Sequence, residues 1–441
     1  RDHCVTGVQT CALPICGTLD IDTRGGTVST RGGAAAGITA TFGSGGSTAA
    51  MTVRTGNVTT EGSYSNAVNA FAGGANASIL VDTTGGSIVT RGSSASGVNV
   101  NGNVTGSTAT AGLVTVRVGN VRTEGTGTAV SVQAGTGGMD VTVAGAASTV
   151  GVNSWGVSLT NKLSGTSKLA VNGSITTTGD TGHGVVAGFG GGTGTSIITV
   201  AGSISATGDN AIGIMTTGRG DSVSVAAGGL IRGHSAGVQF QETDTSPTSL
   251  TNAGTITGDA GPAVTFLGAS PSTFTNTGTV NGDVKLGGGA DLAILGTGSV
   301  INGILNGGSG SDTVRFTGDG NNSFDAATAI NFEVAQKTGA GTWTLTGSST
   351  TLPDIDVQQG RLAVDGTLAS LTATIDGGAV LGGHGTLGSF SALAGAIVAP
   401  GNSIGTLTVG SASFAAGSVL EAELDASGSA DLLQVSGIAD I

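Results

Sequence analysis

The sequence predicts an all-β fold: a right-handed parallel β-helix (β-solenoid) of about ten to fifteen coils with no helical domain. Three observations carry that expectation. A repeat of roughly 24 to 33 residues runs from about residue 25 to about residue 310. Inside each copy apolar or small residues alternate with polar ones, as in Val28-Ser29-Thr30 and Ile38-Thr39-Ala40, the period of a strand with one buried face. The composition is 84 Gly, 3% aromatic and 10% charged at a mean hydropathy of +0.27, which fits a narrow interior filled by small aliphatics. Intrinsic disorder also favours Gly, but it requires low hydrophobicity, and regularly spaced Val and Ile oppose it.

The first element of each copy is a short strand after a glycine. It reads GGTVSTRG (from Gly25), GNVTTEG (from Gly56), GSIVTRG (from Gly86), GNVRTEG (from Gly119), GSITTTG (from Gly173) and GSISATG (from Gly202). GAASTVG (from Gly145) is a degenerate copy, and GLIRG, GTITG and GTVNG (from Gly229, Gly254 and Gly278) are contracted ones. A second strand follows about ten residues later. It is marked by Ile38, Val68, Val98, Val130, Val157, Val185, Ile212, Val238 and Val264, at steps of 30, 30, 32, 27, 28, 27, 26 and 26. About three strands per copy are expected, separated by Gly, Asn, Asp and Ser clusters where positive φ costs little. Such a coil cannot bury its inner face alone. Stacked at about 4.8 Å, coils bury one another's Val, Ile, Leu and Ala in ladders. Insertions between Gly102 and Gly112 and between Gly188 and Gly194 are expected to be surface loops.

The N-terminal segment reads differently. All 3 Cys lie at Cys4, Cys11 and Cys16. The run Val5 to Ile15 matches the translation of a common short-read sequencing adapter, so residues 1–15 are read as an adapter-derived artefact and set apart from the fold. The alternative, a genuine leader, lacks an apolar core of the needed length and a small-residue cleavage site. The C-x6-C-x4-C spacing matches no usual zinc pattern. On this reading the true N-terminus lies elsewhere, and the cysteine-free remainder suits a chain that crosses an oxidising compartment unfolded.

Residues 16–336 form the repeat region. Its last stretch, Phe324 to Gln336, is bulkier and more charged and is expected to be a coil with an altered corner. From Lys337 a new order takes over: GAGTWTLTG (from Gly339), QGRLAVDG (from Gln359), GGHGTLG (from Gly382), PGNSIGTLTVG (from Pro400), LEAELD (from Leu420) and DLLQVSG (from Asp431). Residues 337–441 thereby resemble the C-terminal passenger region of bacterial autotransporters, the proteins of type V secretion, with their autotransporter-associated β-strand repeat. PGNSIGTLTVG is the most specific element. The upstream repeat looks like the β-helical stalk of the same proteins. The resemblance implies a secreted or surface-displayed passenger at the outer membrane or outside the cell. It implies an adhesin-like or structural role, with a host or neighbouring-cell ligand and the chain's own outer-membrane β-barrel as partners. No set of barrel strands with aromatic girdles is present, so the sequence reads as truncated at both ends. A stalk whose enzymatic module lies upstream, and a calcium-dependent repeat protein, are the alternatives.

Candidate sites are few. Arg219-Gly220-Asp221 spells an integrin-type tripeptide, an adhesion candidate if its loop is exposed; ordinary turn residues of a Gly-rich solenoid give the same string. Gly307 to Val314 fits a calcium-binding nonapeptide, which makes Asp312 a candidate metal ligand, with Gly287 to Leu292 a distorted relative one coil earlier. A plain Gly-Asp corner explains the same residues. His183, His234 and His384 read as corner histidines. No Ser/His/Asp arrangement, paired carboxylate cleft or phosphate loop emerges, so no catalytic residue, cofactor or small-molecule substrate is inferred. The net charge of −13 disfavours nucleic-acid partners.

Overall fold

Each short run has one face to bury, and the next coil supplies the cover. The computed structural model describes residues 8–9, 18–42, 50–73, 77–102, 112–188, 193–241 and 244–441. Strand accounts for 54% of the chain in long parallel sheets, as a parallel β-helix requires, and no sheet closes into a barrel. The chain divides into two compact units, Arg1–Leu267 and Gly268–Ile441. The change of texture at residue 337 falls inside the second. Cys4, Cys11 and Cys16 and the insertions at 103–111 and 189–192 lie outside the described residues. Val8–Gln9 pairs in parallel with Ile38–Phe42.

One coil of the first unit shows the path. Val114–Val118 lies on the first face and Asn120–Thr123 on the second; a turn then leads to Val130–Ala134 on the third. Met139–Val143 returns to the first face, beside Val114–Val118. The glycine-led copies form the second face. Val28, Val58, Ile88, Val121, Ala147, Ile175, Ile204, Ile231 and Ile256 stand in one ladder. Ala147 shows that GAASTVG is a true copy with a smaller rung. The third face carries Val68, Val98, Val130, Val157 and Val185, all fully buried. Here one expected rung moves. Ile214, not Ile212, stands between Val185 and Val238, and Ile212 pairs with Ala236. A shift of two residues leaves the same side chains facing inward, so alternation alone cannot detect it. The first face, which spacing alone did not trace, carries Ile21, Val53, Val81, Val116, Val141, Leu169, Ile198, Val223 and Leu250. Each such side chain, fully buried, contributes about 1.5–3 kcal/mol.

Gly, Asn, Asp and Ser were expected at the turns because positive φ costs them little. In the turns between second and third faces the glycine does something else. Positive φ falls two residues later, on Tyr64 (58°), Asn153 (54°) and Asn210 (59°) among others. The glycine before it is required by proximity. A Cβ on Gly62 would fall on the carbonyl of Gly32 in the preceding coil, and one on Gly92 on that of Gly62. The turns thus stack backbone on backbone, and Tyr64 N–H donates to the Ser93 carbonyl at 2.9 Å. The threonine that closes the second-face strands from Thr27–Thr30 to Ser174–Thr177 points inward. Thr60 Oγ1 donates to the Ser65 carbonyl and Thr149 Oγ1 to the Ser154 carbonyl, at 2.7 and 2.8 Å. Outside, Arg31, Glu61, Arg91 and Glu124 alternate in charge up one corner, Arg91 pairing with both glutamates.

In the second unit coils shorten. Phe274, Ala293, Val314, Ala335, Ile355, Ala373, Phe390 and Ala412 form one ladder, at steps of 19, 21, 21, 20, 18, 17 and 22. Among the described residues, nine first-face strands in the first unit and eight rungs here slightly exceed the ten to fifteen coils expected. Large and small rungs alternate. The adjacent row, Asn276, Leu295, Phe316, Lys337, Val357, Ile375, Ala392 and Phe414, places bulk beside all four alanines and Ala392 beside Phe390. Filling of this kind holds a narrow core at close packing. The altered corner at residue 324 is a single 3-10 turn, Ala326–Thr328, capped by Asp325, whose Oδ1 accepts from Ala327 N–H at 3.0 Å.

Close approach at the turns gives a direct test. Gly62→Ala should destabilise the first unit by about 1–3 kcal/mol. Gly33→Ala, where a Cβ meets nothing within 4 Å, should change it by less than about 0.5 kcal/mol. Denaturant unfolding followed at Trp155 measures both. Equal costs would refute the stacking account.

Candidate functional site

The tripeptide at residue 219 sits in the turn that leads into Ser222–Val225. Arg219 is half exposed and its Nε lies 3.0 Å from Asp244 Oδ2. Asp221 is 0% exposed. Its Oδ1 accepts from Ser196 N–H at 2.6 Å and its Oδ2 from Gly218 N–H at 2.9 Å. Burial raises the Asp221 carboxyl above its ordinary range, against the pull of these two donors. The exposure that the adhesion reading required is not met at Asp221: Gly220 adopts φ 59° at the turn, and the aspartate is folded inward to tie two coils. A carboxylate with both oxygens taken up by backbone N–H groups is not offered to a partner.

Asp312 lies at the corresponding corner of the second unit and is likewise 0% exposed. Its Oδ1 accepts from Asp291 N–H at 2.9 Å, so Gly287 to Leu292 and Gly307 to Val314 are stacked corners, as their likeness in sequence implied. Among the described residues no group of three or more His, Cys, Asp and Glu is placed to hold a metal ion. The histidines occupy separate corners. His183 Nδ1 accepts from Ile212 N–H at 3.1 Å and its ring stacks on Trp155, and burial lowers its pKa. His234 Nε2 lies 3.7 Å from Asp209, and His384 Nε2 3.5 Å from Asp365.

A polar cluster joins the motifs of the C-terminal stretch. QGRL places Arg361 at the head of Arg361–Val364. Its Nη2 donates to the Gly401 carbonyl at 2.6 Å and to the Ala399 carbonyl at 3.3 Å, 40 and 38 residues on. To get there it crosses the coil that carries GGHG. A Cβ on Gly382 would strike the guanidinium, which is why that position is glycine. Gly383 and Gly401 exchange N–H bonds of 3.2 and 2.7 Å. Asn402 donates through Nδ2 to both oxygens of Asp365, at 3.0 and 2.8 Å, and Asp365 also accepts from His384 N–H. Asp431 receives Gly405 N–H and Glu423 N–H, each at 2.9 Å. Between them lies a cavity of about 210 Å³ lined by Arg361, Asn402, Ser403, Glu421, Glu423 and Asp431. Its arginine and Asp431 are already committed to backbone groups, so the cluster clasps coils together. The loop it forms shifts the register: Leu387 pairs with Val409, not with Leu407 of the matching Gly-Thr-Leu triplet.

Sequence reasoning singled out these motifs but not Arg361 as their centre; its forty-residue reach has no local signal. It missed Lys337 also. That side chain is 0% exposed, and its Nζ donates to the carbonyls of Thr338, Gly339 and Gln359 at 3.0, 2.8 and 2.8 Å. Burial lowers the ammonium to about 8. Trp343, in GAGTWTLTG, is fully buried against Phe316 and donates Nε1–H to the Thr317 carbonyl at 3.0 Å.

No family model matches the chain, and no solved structure matches it. An extracellular serine protease of Serratia marcescens is 51% identical to it over 73 residues, which is 17% of this chain. The matched segment spans 7% of that protein's length.

Two substitutions separate ties from decoration. Asp221→Ala strands two buried N–H groups and should cost about 1–3 kcal/mol, whereas Arg219→Ala loses an exposed ion pair worth under about 1 kcal/mol. Unfolding followed at Trp155 distinguishes them. Arg361→Ala should cost the second unit about 1.5–3 kcal/mol, with only partial recovery in Arg361→Lys, read from unfolding at Trp343. A neutral Arg361→Ala would mean that the clasp contributes nothing.

Proposed function

We propose that this chain is part of a secreted autotransporter passenger, a β-helical stalk displayed at or released from the bacterial surface. The observation that carries the reading is the clasp: QGRL, GGHG, PGNS and the following Asp-Leu-Leu meet at Arg361, Asp365 and Asp431 in the order in which passengers carry them. The 73-residue likeness to an extracellular protein supports export. So does the absence of cysteine after Cys16, which removes the risk of disulfides forming while the chain is still unfolded. On this reading the stacked coils act as a non-catalytic spacer with an adhesin-like role, presenting the outward positions of each strand. Its closing coils fold first and draw the rest outward.

A second reading is favoured by one observation, that the relative is a protease: the same stalk carries an enzymatic module. Long-read sequencing of the gene across both ends tests the two together. A downstream set of amphipathic barrel strands is the expected result. An upstream hydrolase would assign the chain to an enzyme's stalk. A frame that continues into further solenoid without a barrel would overturn the secretion route.

A further inference from the structure

One corner of the second unit carries a carboxylate in each of three successive coils. Asp291, Asp312 and Glu333 stand immediately before the strands Leu292–Leu295, Thr313–Phe316 and Val334–Lys337. Each accepts an N–H from the coil before it. Asp291 Oδ1 takes Ser272 N–H at 2.7 Å, Asp312 Oδ1 takes Asp291 N–H at 2.9 Å, and Glu333 Oε2 takes Asp312 N–H at 2.7 Å. The coil repeat thus sets neighbouring carboxyl groups about 4.8 Å apart. Asp291 is 2% exposed and Asp312 0%. Oδ2 of each is buried and has no hydrogen-bond partner. Gly307 packs against the Asp312 carboxylate, where even a Cβ would lie 3.0 Å from Oδ2.

Among the described residues no ion pair joins a cation to Asp291, Asp312 or Glu333. Of the strands packed here, Ser272–Asn276, Gly288–Gly289 and Ser309–Gly310 carry no charged residue. Arg315 bonds Gln336 through Nε, and Lys337 is held by its three carbonyls at the far end of its strand. The charges that act on the pair are its own neighbours, Asp312 on Asp291 and Glu333 on Asp312. Two ionised, buried, adjacent carboxylates with idle oxygens would repel at full strength in a poorly screened site.

We propose that this corner is a proton-operated clip: Asp291 and Asp312 hold a proton in the folded second unit, and its loss as pH rises to neutrality and above loosens the coils between Ser272 and Lys337. Burial, reinforced by Asp312, pushes the Asp291 carboxyl from 3.8 up to about 7. The sign follows. Between these values the folded chain binds more protons than the unfolded chain, so stability falls as pH rises through that window. It is fully present below the lower value. This is the reverse of ordinary acid denaturation, in which native carboxylates are held ionised.

The test uses the full chain with Trp155→Phe, which leaves Trp343 as the remaining one of 2 tryptophans and a reporter of the second unit. The denaturant midpoint should be higher at about pH 5.5 than at about pH 8.5. Asp291→Asn and Asp312→Asn, neutral and of the same shape, should each remove most of that difference. Infrared spectra of the chain at the lower pH should show a protonated carboxyl that is lost in either variant. An unchanged pH difference in the variants, or a spectrum without that carboxyl, overturns the proposal. Should Asp291→Asn fail to fold, Asp312→Asn and the infrared measurement still decide it.

Discussion

Everything in this chain depends on how closely one coil can approach the next. Parallel strands pair at about 4.8 Å only if the turns between them stack at the same spacing. At Gly62, Gly92 and their equivalents that spacing leaves no room for a Cβ against the carbonyl of the coil before. The glycines of these turns follow from this constraint, and so does the bond that the turn then makes, Tyr64 N–H to Ser93 among them. Stacking also fixes what the interior can hold. A narrow core takes Val, Ile and Ala rungs, and where coils shorten in the second unit it takes large and small rungs in alternation.

The same spacing forces polar groups to be used in stereotyped ways. Most inward threonines of the second face are satisfied five residues on, as Thr60 is by Ser65, whereas Thr123 Oγ1 is buried without a partner. A carboxylate at the entrance to a first-face strand accepts an N–H from the coil before, in Asp221 as in Asp291, Asp312 and Asp431. Local likeness therefore marks a shared structural duty. That is why an integrin-type tripeptide and a calcium-type nonapeptide both turn out to be corners with buried aspartates. Where two such corners are adjacent and, among the described residues, no cation pairs with them, the ties that bind coils also make them sensitive to protons.

The C-terminal stretch uses longer side chains for the same end. Arg361 spans two coils to hold the backbone at Gly401, and Asp365 gathers Asn402 and His384. These bonds join motifs 19 to 40 residues apart, so the stretch that resembles a passenger most specifically is held as a clasp.

The sequence by itself determined the fold class, because a period near thirty and alternation within it are written in residue order. Val28 to Ile256 can be aligned rung by rung from the string, even through the weak copy at Ala147. It did not determine register to the residue: Ile212 and Ile214 face the same way, and pairing with Val185 chose between them. Nor did it reveal which charged groups lie inside. Asp221, Asp312 and Lys337 look like turn and surface residues in the string, and burial follows from which coil lies above them. Arg361 was legible as part of a motif, but its partners forty residues on were not. Contacts between coils are long-range by construction, and only the stacked structure decides them.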